Sequence, residues 1–305
     1  MRVLVTGAGG FVGTHLARSL SDDGHEVVAA SVSQLDVTDA GAVDRAVGSF
    51  RPERTFHLAA QSSVALSWQD PDLTYRVNVN GTHHLLDALR RYVPDSRVLL
   101  PCTSDEYGIV APEGCPIDEG HSLHPVSPYG TSKVAQEWVG RMFVETFDLH
   151  VVVTRAFMHI GPGQPESFAT ADWARQIALI EAGARDPVVS VGNLDVRREF
   201  GDVRDVVRAY RAVLEAAGAG DVYNVATGDA RRLREVLDIL IGLARTDVRV
   251  HVDASKLRPA DLPLLEGSAA RLERLTGWKP EHRLEDTLRE VLDHWRARVG
   301  PERAT

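Results

Sequence analysis

Gly7, Gly10 and Gly13 stand between an apolar β-branched run, Val3 to Thr6, and a helical pattern from Gly13 to Ser21, and few folds accept that junction. Three glycines so spaced let backbone approach a bound group, turn the chain tightly and pack helix on strand, with the helix N-terminus aimed at an anion. Phe11 and Val12 lie within the same turn. Strand-like runs then follow at Glu26 to Ala30, Thr55 to Ala59, Val98 to Cys102 and Leu149 to Arg155. Helical stretches at Ala42 to Phe50, Thr74 to Tyr92 and Ser132 to Thr146 alternate with them. A repeated β-α-β-α order implies a parallel sheet with helices on both faces and right-handed crossovers. The expected fold is α/β, a Rossmann-type doubly wound parallel sheet.

The regular alternation breaks after Met158 at GPGQPESF, a loop with two glycines and two prolines. Beyond it, helices are expected at Ala169 to Ala182, Asp202 to Ala217 and Leu233 to Leu243, interleaved with short strands. A chain of 305 residues, 44% of them hydrophobic, is long enough for two domains. We expect a dinucleotide-binding Rossmann domain over residues 1–160 with about 200–228, and a smaller C-terminal α/β substrate lobe from about 161–199 and 229–305.

A net charge of -9 disfavours nucleic acid and anionic membrane as partners, so a bound phosphate needs local arginines or helix N-termini. Cys102 and Cys115 are too few for a disulfide framework and read as free thiols in a reducing compartment. No basic leader precedes the first strand, and no run approaches the ~20 apolar residues of a membrane span. A cytoplasmic protein is the expectation.

The glycine turn points to a dinucleotide. HLAA, with Leu58 and the small Ala59 and Ala60 after the third strand, would let an adenosine half lie against the sheet, and Asp36 with Val37 would sit beside the adenine. The residues after the second strand, Ser31 to Ser33, include no carboxylate to take a ribose 2′-hydroxyl, which NAD sites commonly present. No arginine is present there either. NADP, as NADPH, is the expected cofactor, with NAD still permitted.

Tyr129 and Lys133 in SPYGTSK share a helix face at i,i+4 spacing. A free tyrosine titrates near pH 10, and an adjacent ammonium is expected to favour the phenolate. The same lysine can hydrogen-bond a nicotinamide ribose, so the pair suits proton transfer beside a hydride donor. CTSDEYG follows the fourth strand, where side chains reach the carboxyl edge of the sheet. Thr103, followed by Ser104, can hydrogen-bond the oxygen that Tyr129 protonates, and Asp105 is a candidate acid or base. Asp105 and Glu106 also suit a solvated turn. Asn78, in the long helix after the third strand, is given a supporting place beside the cofactor. Asn224 receives no role. No metal is expected: the 12 histidines show no ligand spacing, and His83 and His84 point about 100° apart on a helix.

With these motifs the chain resembles the extended short-chain dehydrogenase/reductases that act on nucleotide sugars. TGAGGFVG, HLAA, NVNGT, TSDEYG, YGTSK, HIGPGQ, VGNLDVRREFGDVRD, DVYNVATG, LRPAD and TGWKP carry the likeness nearly end to end. Within that family it looks most like the GDP-4-dehydro-6-deoxy-D-mannose reductases, with the GDP-mannose 4,6-dehydratases as cousins. The resemblance implies a GDP-sugar substrate, with Arg198 and Arg258 on its diphosphate, Asp261 near the nucleotide ribose, and His159 and Gln164 in the substrate loop. Two guanidiniums can offset a diphosphate in an acidic protein. Relatives usually carry asparagine where this chain has Met158, whose thioether cannot make the amide's hydrogen bonds. The resemblance also implies a homodimer formed through the helices Thr74 to Tyr92 and Ser132 to Thr146.

Reduction and dehydration share the turn, Thr103, Tyr129 and Lys133. The dehydratases use a glutamate as base where this chain has Asp105, one methylene shorter, and near-attack geometry is sensitive to ~1 Å. Reduction of a C4 ketone to a GDP-6-deoxyhexose, GDP-D-rhamnose, is the favoured reading. The alternatives are a GDP-mannose 4,6-dehydratase, a ketoreductase or epimerase on a dTDP- or UDP-sugar, and a non-catalytic NADP sensor.

Overall fold

Along β1 (Arg2–Thr6) the apolar side chains alternate: Val3 and Val5 join one buried cluster and Leu4 the other. That alternation sets the two-sided architecture, because successive strand residues face opposite sides of a sheet. The computed structural model describes residues 1–256 and 263–299. After β1 come α1 (Phe11–Asp22), β2 (Glu26–Ala30), α2 (Ala40–Phe50) and β3 (Arg54–His57). Next are α3 (Val64–Gln69), α4 (Pro71–Tyr75), a π-helical turn (Arg76–Asn80), α5 (Gly81–Tyr92), β4 (Arg97–Thr103), α6 (Pro128–Phe147) and β5 (His150–Ala156). The second half holds β6 (His159–Ile160), α7 (Ala169–Glu181), β7 (Val188–Val191), β8 (Arg197–Arg198), β9 (Gly201–Asp202), α8 (Val203–Ala216) and β10 (Val222–Val225). It continues through β11 (Arg231–Arg232), α9 (Leu233–Gly242), β12 (Arg249–Val252), β13 (Leu264–Leu265), α10 (Ala270–Thr276) and α11 (Leu284–Val299).

Six parallel strands form the main sheet in the order β10-β5-β4-β3-β1-β2. The chain runs outward from β1 to β2, then crosses back to β3 on the other side of β1. A crevice therefore opens at the carboxyl ends of β1 and β3, where the winding reverses. Helices α1 and α8 cover one face through Leu16, Tyr210 and Val213. Helices α2, α5 and α6 cover the other through Val47, Leu86 and Phe143. The strand expected to reach Ala59 ends at His57, because the Ala59 amide turns to donate to Thr6 Oγ1 at 3.2 Å.

Local chemistry fixes the helix starts. Ser127 accepts a hydrogen bond from the Gly130 amide at 3.0 Å and Pro128 takes the first position of α6, a favourable cap and N1 pair. Asp70 caps α4 by accepting from Leu73 at 2.9 Å, so the helix expected from Thr74 begins at Pro71 and reaches α5 through the π-helical turn. That turn rotates Asn78 inward, where it is fully buried.

A separate apolar cluster joins α7, β7, α9 and α11 through Ile177, Val189, Leu237 and Trp295. Helix α10 packs elsewhere: Leu272 and Trp278 belong to the α1–α8 cluster, and Trp278 Nε1 donates to Asp205 O at 3.0 Å. The Asp205 carboxylate on α8 accepts from the amides of Glu281 and His282 at 3.1 and 3.0 Å. A helix that covers the main sheet thus holds the chain entering α11. Among the described residues, no helix is long and apolar enough to cross a membrane.

Candidate active site

A cleft of about 1240 Å³ opens over the carboxyl ends of the sheet, and the glycine turn forms one wall. Gly7 has φ +68°, and a Cβ there would stand 2.6 Å from the Ala59 nitrogen; one on Gly13 would stand 2.4 Å from the Gly7 oxygen. The turn is thus pressed so close to the loop after β3 that only hydrogen fits. Gly10, Phe11, Val12, Asp36, Val37, Leu58, Ala59 and Ala60 all line the same cleft, as does Ser31 at the end of β2. This close backbone approach and the adjoining groove fit a dinucleotide.

A chain of hydrogen bonds supports the turn from below. Thr6 Oγ1 lies 2.8 Å from His57 Nδ1, and His57 Nε2 lies 3.0 Å from Thr82 Oγ1. Thr82 donates to Asn78 O at 2.7 Å, so its oxygen accepts from Nε2–H and the neutral imidazole accepts from Thr6. Burial, reinforced by the Lys133 charge, holds His57 down to about 3 and keeps it neutral. Asn78 is not on the cleft wall. Its amide bridges Gln61 N at 2.8 Å and Ser132 Oγ at 2.9 Å, tying the loop after β3 to the start of α6. Asp36 accepts from Thr38 at 2.9 and 2.8 Å, which holds its carboxyl below the usual range, aided by the Arg76 charge from the π-helical turn. The sequence offered no arginine beside β2; the fold brings Arg76 into that neighbourhood from another element.

Tyr129, in the first turn of α6, lines the cleft with Thr103, Ser104, Asp105 and Lys133. Its phenol is pushed up, not down: burial dominates, the Asp105 charge adds to it, and a hydrogen bond with Thr103 opposes it. The lowering expected from Lys133 does not outweigh burial. Lys133 Nζ donates to Pro101 O at 2.8 Å and to Gln136 Oε1 at 2.7 Å, and its own pKa is lowered by burial. In this arrangement Tyr129 is held protonated, the form a proton donor needs.

Behind that wall sits a buried ionic cluster. Arg155 binds both oxygens of Glu137 at 3.0 and 2.8 Å, and its Nε lies 3.3 Å from Glu106 Oε2. Glu106, read as a candidate for a solvated turn, is fully buried. Burial, then the Glu137 charge, pushes it up to about 8 against the pull of Arg155. Cys102 Sγ and these two carboxylates lie within 4.8 Å of one another, but Arg155 already occupies both Glu137 oxygens, which leaves little for a cation. Tyr107 donates to Asn224 Oδ1 at 2.7 Å, which gives Asn224 a structural place.

At the far end of the cleft, Arg198 on β8 lines the wall beside Glu199, Met158, His159 and Gln164. The His159 ring stacks on Phe11 at 6.1 Å, joining β6 to the start of α1 after the glycine turn. Gln164 is committed to its own loop, donating to His159 O at 2.9 Å and accepting from Thr170 Oγ1 at 3.2 Å. Arg258 and Asp261 lie outside the described residues. Sequence reasoning missed Glu199, which is 1% exposed. Its partners come from distant segments, and no local pattern marks it.

A family model described as GDP-mannose 4,6 dehydratase matches residues 28–291. The GDP-6-deoxy-D-mannose reductase of Pseudomonas aeruginosa is 37% identical over 302 residues, 99% of this chain and 99% of its own length. GDP-mannose 4,6 dehydratase 2 of Arabidopsis thaliana is 31% identical over 264 residues, 85% of this chain and 69% of its own. Among solved structures, RMD from Pseudomonas aeruginosa complexed with NADPH has a TM-score of 0.90 at 36% identity, covering 97% of this chain and 99% of that one. The UDP-glucose 4-epimerase of Thermus thermophilus, in complex with NAD, has a TM-score of 0.85 at 30% identity, covering 97% and 99%.

Proposed function

The chain belongs to the GDP-mannose 4,6-dehydratase family, and we propose that it catalyses the NADPH-dependent reduction of the C4 ketone of GDP-4-dehydro-6-deoxy-D-mannose to a GDP-6-deoxyhexose, GDP-D-rhamnose. The observation that carries this reading is the end-to-end likeness to a GDP-6-deoxy-D-mannose reductase, 37% identical over 99% of both chains. NADPH, when bound, supplies the hydride. Tyr129 donates its proton to the developing C4 alkoxide and Thr103 hydrogen-bonds the same oxygen, while Lys133 orients the nicotinamide ribose. The raised phenol suits this direction, because an acid that holds its proton releases it only to a strongly basic oxygen. Asp105 supports reduction over dehydration through its shorter reach. Arg198, with Arg258, balances the diphosphate.

Residues 1–160 with about 200–228 serve the dinucleotide in this reading, and about 161–199 with 229–305 serve the nucleotide sugar. The test is paired incubation. The protein should oxidise NADPH with the 4-keto-6-deoxy sugar nucleotide and form no keto sugar from GDP-mannose; the reverse pattern makes it a dehydratase. Tyr129→Phe should abolish turnover while retaining NADPH binding, and a kcat/KM for NADH tenfold above that for NADPH would overturn the cofactor. Trp138, 57% exposed, Met142 and Phe147 leave an apolar outer face on α6 that supports a homodimer through α5 and α6. Sedimentation should find a dimer that Trp138→Glu weakens. Both cysteines are free, in keeping with the cytoplasm, which cell fractionation checks.

A further inference from the structure

Among the described residues, Glu199 is the one acid on the far wall of the cleft that is almost wholly buried, 1% exposed, and its carboxylate is spent on the chain itself. Oε2 accepts from the Thr227 amide at 2.5 Å and from Thr227 Oγ1 at 3.1 Å; Oε1 accepts from the Gly267 amide at 2.5 Å. Burial pushes its carboxyl up to about 7, against the pull of the Gly267, Thr227 and Gly228 amides. These donors come from two separate segments: the turn that ends β10, the edge of the main sheet, and the strand exit just past β13. Glu199 itself follows Arg198 on β8, which pairs with β11 on one side and β13 on the other. Burying a carboxylate is costly, so a chain that keeps one here gains something from its reach.

That reach joins three parts of the molecule at one point. The Gly267 backbone is fixed there from its other side as well: a Cβ on it would stand 2.3 Å from the Phe157 ring, and Ile117 forms a bridge with it. Beside the strand pairs of β8, the Glu199 side chain thus ties the Arg198 strand to both the turn after β10 and the exit of β13. We propose that Glu199 is a positioning residue, setting the affinity of the cleft for the diphosphate of its nucleotide substrate by locking the Arg198 strand to the edge of the dinucleotide-binding sheet. Glutamate length is part of the device, since aspartate, one methylene shorter, cannot span from Thr227 to Gly267. The proposal rests on the nucleotide-sugar reading given above and adds the residue that holds the anion-binding wall in place.

Glu199→Gln keeps the shape but presents an N–H to donors. Its KM for the GDP-keto sugar should rise about tenfold, with kcat within about twofold and NADPH binding unchanged. Glu199→Asp, too short to reach both segments, should raise KM at least as far. Calorimetry with GDP, UDP and dTDP, without turnover, should show the same tenfold loss for whichever diphosphate the wild type binds. If Glu199→Gln does not fold, Thr227→Val removes one hydroxyl from the same carboxylate and should raise KM about threefold. Unchanged KM with kcat and melting temperature falling together would reduce Glu199 to a structural residue and overturn the proposal. So would a wild type that binds none of the three diphosphates. A wild type that binds GDP but reduces no keto sugar would instead refute the proposed reaction and leave Glu199 in place.

Discussion

At the glycine turn the cleft wall is backbone, and the spacing is so close that Gly7 and Gly13 leave room for hydrogen alone; behind Tyr129 the wall is charge, two buried carboxylates and a buried guanidinium. The first region is sensitive to volume and indifferent to pH, since His57, the titratable group beneath it, stays neutral down to about 3. The second is the reverse. An isostere of Glu106 keeps its volume and removes only a charge state that shifts with the medium.

The sharper blow to this contrast is steric. Gly13→Ala puts a methyl group 2.4 Å from the Gly7 oxygen and 2.7 Å from Ala8 Cα, both backbone atoms that cannot swing away. Overpacking typically costs ~1–3 kcal/mol, and here it falls on the turn proposed to meet the dinucleotide. NADPH affinity in a fluorescence titration should drop at least tenfold, by the same factor at pH 6 and pH 8. A loss that varied with pH would erase the distinction between the regions.

A smaller effect is expected from Glu106→Gln. The Glu106 carboxyl is pushed up to about 8 in the folded chain against 4.5 for the free group. Between those values the unfolded chain has released a proton that the folded one still holds, so the wild type loses stability as pH rises through that window and loses no more above it. Glutamine does not titrate. The variant should match the wild type near pH 4.5 and exceed it by several degrees in melting temperature at pH 8.5. An advantage of equal size at both values would mean that packing, not charge, governs the cluster.

The two regions were also unequally legible. The glycine turn, the Tyr129–Lys133 spacing and the alternation that makes the sheet are written in short windows, where one residue's neighbours in sequence are also its neighbours in space. Glu106 looked suited to a solvated turn because Arg155, which makes its burial tolerable, arrives on β5. The effect of Lys133 on Tyr129 was misjudged for a related reason: helical spacing brings the residues to one face, but Pro101 and Gln136 hold the ammonium, and burial with Asp105 sets the phenol. The supporting place of Asn78 is legible in its helix, but its partners Gln61 and Ser132 follow from a π-helical turn that no sequence window marks.

The order of strands in the sheet bears on how this protein can be taken apart. The edge strand β10 and the covering helix α8 are supplied only after the chain has left the sheet and built β7 and α7. A fragment cut at residue 160 would lack both, leaving β5 with a raw hydrogen-bonding edge and Leu16 without the helix that covers it. The six-stranded sheet is therefore not a cassette that can be lifted out or grafted; recombination between relatives has to exchange the interleaved segments together.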